Sequence, residues 1–436
     1  MDKFTGLEAL KIDIANNFGF GTLNYFDRIN WFNSELAPKI KANSSIQDLM
    51  LEAEYAEEPE LAFAGLQAYV KYLNQEPSGY MISFDSTSSG IQIMSALMGD
   101  TSGMLLTNLT YPEQRFDAYT EIYNIFLDKW NKQYPNQEIS ISRKNIKSAI
   151  MVMMYGGSKS IMGKLNNDRR VFDVLMEVCS TTISGAYILR EALLNCTSDT
   201  ATEYSWFTPD GFNVINPITV LYKEQRETSM GVIHIKYKDK GTNKFYKGNV
   251  ANLIHSLDAS LMREVIGRCN YNEDKVRKVL IMSRKANSPE FAINRIFAQY
   301  SEIQNNHLEL LVQIYKQTGF MSVRFIEYAQ SELDIAYLLQ ELGANFITDL
   351  ASMCLNILQN SKPFHVLCVH DCFRCLPNHV NHVRYYYNNV LADIVSSNSL
   401  QFMMSFLPNG LREFNKLPKP NQELVNKIRE ANYAIC

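Results

Sequence analysis

The stretch Tyr80-Met81-Ile82-Ser83-Phe84-Asp85-Ser86-Thr87-Ser88-Ser89-Gly90-Ile91-Gln92 decides how the rest of the chain is read. Its apolar run over 80–84 is short and is followed by Ser and Gly turn signals, the pattern of a buried strand. The run ends on Asp85, and helical periodicity resumes at Ile91. An aspartate ending a buried strand is held at a sheet edge, where its oxygens suit a hard cation. Taken alone, the same residue would also serve as a turn or helix N-cap.

Outward from this stretch the pattern is mostly helical. Leu7–Ala15 and Ile46–Leu73 carry apolar residues at helical spacing, as do 91–135 and 142–196. Trp206-Phe207-Thr208-Pro209-Asp210-Gly211-Phe212-Asn213-Val214 places a Pro-Asp-Gly turn between apolar flanks, a hairpin signal. Val232–Tyr237 alternates like a further strand, and 250–360 returns to helix. His365–Leu376 then reads as two short strands about a turn at His370-Asp371. The fold class expected is α+β, predominantly helical. The divisions expected are 1–80, a helical lead-in; 81–141; 142–250; 251–360, helical with an insertion; and 361–436.

Two further constellations carry chemistry. Arg143, Lys147, Met151 and Tyr155 are spaced by four, so at about 100° per residue they share one helical stripe. Two cations one turn apart suit a polyphosphate, and a phenol two turns on suits a sugar or base. Val369-His370-Asp371-Cys372 puts a second aspartate at a hairpin tip. Asp85 and Asp371 side by side on one antiparallel sheet would clamp two Mg²⁺ ions about 4 Å apart for phosphoryl transfer.

Asp85 and its turn, then Arg-x₃-Lys-x₇-Tyr-Gly, then the His-Asp hairpin resemble motifs A, B and C of the polymerase superfamily that includes family-A DNA polymerases and single-subunit, phage-type RNA polymerases. Gly90 stands where the DNA polymerases carry a glutamate against the ribose 2′-OH, and Met151 stands where they usually carry Phe. Ser89-Gly90-Ile91-Gln92, Thr208–Phe212, His255-Ser256-Leu257-Asp258-Ala259-Ser260 and the end Asn432–Cys436 also resemble the RNA polymerase branch. The resemblance implies a right-hand core: a palm sheet with Asp85 and Asp371, and helical fingers with 143–155. It implies DNA-templated RNA synthesis from NTPs. Asp85 and Asp371, helped by the Ser86 carbonyl, would hold the metals. Lys147 and Arg143 would grip the triphosphate, Tyr155 would gate the sugar beside Gly90, His255 would recognise the ribose, and His370 would be a supporting neighbour.

Two departures matter. The family's Asp-x-x-Gly-Arg motif is absent, and Glu264-Val265-Ile266-Gly267-Arg268 reads as ordinary helix. The chain therefore resembles the larger chain of split, two-subunit phage RNA polymerases, with a smaller partner subunit supplying that motif, template DNA and RNA product as ligands, and a phage accessory DNA-binding factor as a further partner. Second, roughly 270–345 has no counterpart in the family; it is either a partner- or nucleic-acid-binding insert or a structural one. The rival readings are a DNA polymerase of the same superfamily and a non-catalytic nucleic-acid-binding assembly subunit.

Composition agrees with a globular enzyme: 436 residues, 46% apolar and 20% charged. No run reaches the roughly 18 apolar residues of a membrane span, and Met1–Glu8 lacks the apolar stretch of a signal peptide. Eight dispersed cysteines suggest reduced thiols. The expected location is the cytoplasm of an infected bacterial host. The net charge of −4 hides a split, because 143–170 holds seven bases and one acid while 48–60 holds six acids and no base. Cys368, His370, Cys372, Cys375, His379 and His382 invite a zinc reading, but on one continuous strand Cys368, His370 and Cys372 would face away from Asp371. Tyr155–Ser160 ends like a phosphate loop yet lacks the earlier glycine.

Overall fold

A computed structural model describes residues 1–111, 113–157, 159–244, 246–286 and 306–436, with the side chains of Lys159 and Ser160 left aside. Ser158 of the phosphate-loop-like string and 287–305 of the inserted segment lie outside the described residues. The fold is α+β and mainly helical, with three small antiparallel sheets among the described residues.

The helices that shape the site start where the sequence supplies caps. Helix α1 (Gly6–Ala15) begins with a capping box between Thr5 and Glu8. Helices α2 (Ile46–Ala53) and α3 (Pro59–Leu73) follow. Strand β1 (Ile82–Asp85) leads into α4 (Ser89–Met98), whose ten residues are all buried. Asp117 caps α5 (Ala118–Gln133), and Ser142 caps α6 (Arg143–Met154). The Pro-Asp-Gly turn joins β2 (Glu203–Phe207) to β3 (Asn213–Pro217), with Gly211 at φ +80°. Strands β4 (Thr219–Thr228) and β5 (Gly231–Lys240) pair, among the described residues, only with each other, through ten residue pairs ending at an exposed tip.

Helix α7 (Gly248–Cys269) precedes α8 (Glu273–Lys285) and the kinked α9 (Glu332–Asn360). The kink sits at Gly343, φ +84°. Strands β6 (Leu367–Val369) and β7 (Cys372–Cys375) close the third sheet, and α10 (Val380–Ser396) packs on α7. The main core joins residues from both ends of the chain. A second core, Val276 to Ile357, belongs to the inserted region.

Sheet order β1-β7-β6 places the two aspartates together. Phe84 lies opposite Phe373 and Asp85 opposite Cys372, so the inward phenylalanines leave Asp85 on the other face. The hairpin corrects one expectation. Cys368 pairs with Phe373 while Val369 pairs with Cys372, so Cys368 and Cys372 face opposite sides. Alternation failed there because the two-residue turn at His370-Asp371, with His370 at φ +54°, breaks the strand's period.

The end of the chain runs antiparallel along the end of β1. The Cys436 amide donates to the Asp85 carbonyl at 2.9 Å, and Ser86 bridges Ile435. Gln92 locks this joint. Its Nε2 donates to the Ala434 and Thr107 carbonyls at 3.0 and 2.8 Å, while its Oε1 accepts from Tyr387 at 2.7 Å and Ser86 at 3.1 Å. From the other side, buried Asp13 of α1 accepts from the Ser83 amide and the Tyr80 hydroxyl, both at 2.7 Å.

Candidate active site

Two adjoining cavities, of about 440 and 370 Å³, meet at Asp371. Ser88, Tyr119 and Met151 line both, making one cleft with two lobes. The smaller lobe holds Asp85, Ser86, Asp117, Arg143, Lys147 and Arg115. The larger holds Gly90, Tyr155, His255, Asp258 and His370. Every site residue expected from sequence thus lies in one cleft, and the Arg143–Tyr155 stripe runs along its wall.

In the smaller lobe, the Ser86 amide donates to the Asp371 carbonyl at 3.3 Å and to Asp85 Oδ1 at 3.1 Å. The Ser86 carbonyl accepts from the Ser88 amide at 2.9 Å, with a second lone pair to offer. Desolvation and then the charge of Asp371 push the Asp85 carboxyl up to about 6, with Lys147 opposing. Lys147 Nζ lies 5.1 Å from the centre of the Tyr119 ring. Arg143 is committed sideways: its guanidinium pairs with Asp117, and its Nε donates to Thr120 at 2.6 Å. Of the two cations, Lys147 is the one whose charge acts on Asp85.

In the larger lobe, the Tyr155 and His255 rings are tilted at 4.7 Å. Burial lowers the pKa of His255, Asp371 opposing, so the imidazole is neutral at pH 7. The space beside Gly90 is taken by the Tyr155 phenol, since a Cβ at 90 would sit 2.1 Å from its oxygen.

Several participants were not named from sequence. Asp258, one helical turn after His255, is buried in the cleft, and desolvation plus Asp371 push its carboxyl up to about 7. Its place in His255-Ser256-Leu257-Asp258, three residues after a candidate, was the available signal. Asp117 and Tyr119 carried no signal beyond an N-cap. Gln92 and Asp13 act across hundreds or tens of residues of sequence.

The donor set can hold anionic phosphates at one end and a sugar at the other. A sequence model described as DNA-dependent RNA polymerase matches residues 3–172. The chain is 25% identical over 313 residues to the mitochondrial DNA-directed RNA polymerase 1 of Arabidopsis thaliana, covering 61% of this chain and 32% of that protein. It is 28% identical over 166 residues to a probable DNA-directed RNA polymerase of Neurospora crassa, covering 35% and 18%. It is 25% identical over 226 residues to the mitochondrial DNA-directed RNA polymerase of Mus musculus, covering 43% and 18%. The chain thus spans about a third or less of the length of these relatives. Relatives named as mitochondrial overturn the expectation of an infected bacterial cytoplasm. From residue 3 to residue 172, a stretch holding both Asp85 and the Arg143–Tyr155 stripe, this chain matches the DNA-dependent RNA polymerase family.

Proposed function

We propose that the chain is the catalytic part of a DNA-directed RNA polymerase that joins NTPs on a DNA template with two Mg²⁺ ions. The observation that carries this reading is the meeting of Asp85, Asp371 and Lys147 in one lobe of the cleft, where the charges of the other two act on Asp85. Two carboxylates and a backbone carbonyl fit Mg²⁺, which takes one or two protein carboxylates and completes its shell with water and substrate phosphates. The raised Asp85 carboxyl supports the same fit, because a cation there would relieve the repulsion between two like charges.

Asp85, Asp371 and the Ser86 carbonyl would hold the ions. Bound there, they would ease ionisation of the attacking hydroxyl and neutralise the departing pyrophosphate. Lys147 would balance triphosphate charge directly. Arg143, tethered to Asp117, would act from the rim or on release from that pair. Tyr155 and neutral His255 would meet the sugar of the incoming nucleotide.

The finer proposal is that a smaller subunit carrying the Asp-x-x-Gly-Arg element completes the enzyme. An exposed apolar patch of Ile46, Met50, Leu51 and Tyr55 on and after α2 supports an interface there. An accessory DNA-binding factor would join at the promoter.

The test is RNA synthesis on a primed DNA template by the chain with its companion subunit. Asp85→Asn or Asp371→Asn should lower NTP incorporation at least 100-fold, with the melting transition retained. Near-normal incorporation in either variant would overturn the two-metal assignment. Preference for dNTPs over NTPs in the unaltered chain would favour the DNA polymerase instead.

A further inference from the structure

A second cavity, of about 520 Å³, lies where the inserted region meets the remainder of the chain. Phe212, after the Pro-Asp-Gly turn, and Arg263 of α7 form one wall. Lys275 of α8, with Arg324, Glu327 and Tyr328, forms the other. The Arg263 guanidinium lies 4.7 Å over the Phe212 ring, and that of Arg324 lies 5.2 Å over the Tyr328 ring.

Both arginines are fixed from behind by one buried residue, Asp210. Its carboxylate accepts from Arg263 Nε at 2.6 Å and Nη2 at 2.9 Å, and its carbonyl accepts from Arg324 Nη1 at 2.7 Å. Three cations, Arg263, Lys275 and Arg324, against Asp210 and Glu327 leave 3 − 2 = +1 at the rim. Phe212 is 50% exposed and Lys275 is exposed, so a ring face and an ammonium are both open to a ligand.

Aromatic faces beside fixed guanidinium planes, within a positive rim, are the chemistry that stacks bases and holds phosphodiesters. The cavity also shares a helix with the cleft. Arg263 follows His255 by 263 − 255 = 8 residues of α7, about 12 Å of rise. We propose that this cavity binds a single-stranded nucleic-acid segment, with a base on Phe212 and backbone phosphate on Lys275 and Arg263. The inserted region thereby supplies half of a strand-binding site. This goes beyond the catalytic reading and needs no nucleotide to be joined.

The full chain is mixed, without Mg²⁺ or NTP, with fluorescein-labelled 12-nucleotide oligo(U) or oligo(dT), and anisotropy is followed against salt. Phe212→Ala should weaken binding about 5-fold or more, the loss of one stacked base. Lys275→Glu should lower the slope of log affinity against log salt by about 0.7, one phosphate contact on a single strand. A 4-thiouridine strand should cross-link to peptides containing Phe212 or Tyr328. Lys275 is a surface side chain, so Lys275→Glu decides the matter even if Phe212→Ala lowers the melting temperature. Unchanged affinity and slope in Lys275→Glu, or cross-links confined to 85–155, would overturn the proposal. So would equal competition by ATP, which would assign the cavity to a free nucleotide. The preferred arm, RNA or DNA, identifies the strand. Failure here would leave the synthesis test above unaffected, since no bond is made in this assay.

Discussion

Tyr155 and Gly90 are read together as one contact. Because a Cβ at 90 would strike the phenol oxygen, any side chain there must evict Tyr155 from its seat beside His255. Gly90→Ala is expected to lower NTP incorporation at least 10-fold. Tyr155→Phe, which keeps the ring and removes only the hydroxyl, is expected to keep synthesis but reduce discrimination against dNTPs. Competition between matched NTP and dNTP measures both, and unchanged selectivity in Tyr155→Phe would remove it as the sugar gate. Asp13 offers a pH test away from the chemistry. Burial pushes its carboxyl up to about 6 despite bonds from Ser83 and Tyr80. Between about 4 and 6 the folded chain keeps a proton that the unfolded chain has released, so this group's contribution falls as pH rises through that window. Asp13→Asn, whose one carbonyl oxygen keeps the Ser83 bond while its NH2 donates to a Tyr80 hydroxyl turned toward the Leu61 carbonyl, should flatten that part of a stability–pH profile, removing a slope worth about 1–3 kcal/mol. A profile that keeps its full slope would contradict the assignment.

At the scale of elements, the joint between β1, α4, α10 and the end of the chain turns on Gln92. Gln92→Ala would remove four buried hydrogen bonds, leaving the Ala434 carbonyl only the Thr87 amide at 3.4 Å and the Tyr387 hydroxyl only Ser86 at 3.2 Å. A buried hydrogen bond contributes about 1 kcal/mol net, so the variant should melt several degrees lower, and synthesis should fall with it because Asp85 sits on the same joint. Elements with their own periodicity were legible in the sequence: β1 with Asp85, the Arg143–Tyr155 helix, and the Pro-Asp-Gly hairpin each depend on neighbours within a dozen residues. The joint was not legible, since Gln92 meets Tyr387 and Ala434 across some three hundred residues of intervening chain. The same reason hid Asp210, whose partners Arg263 and Arg324 lie on elements that no local pattern ties to it. Strand alternation misled only at His370-Asp371, where a turn reset the period.

For the whole molecule, charge is best considered by region. Its near-neutral total conceals a basic strip along one wall of the cleft and an acidic run, 48–60, around the exposed apolar residues of α2. That arrangement lets a mildly acidic protein meet polyanions at one place while repelling them at another. The inserted region keeps its own core yet contributes to a cavity shared with α7.

The β4–β5 ribbon carries one more consequence. Among the described residues its strands form a sheet only with each other, and Met230 at its tip is 97% exposed. A two-stranded ribbon has little independent stability, and exposed tips are where chains are cut first. Limited digestion with a protease that cleaves beside apolar residues should therefore nick the chain near Met230 first. The two fragments should stay together through gel filtration under native conditions, because the main core draws residues from both sides of the cut.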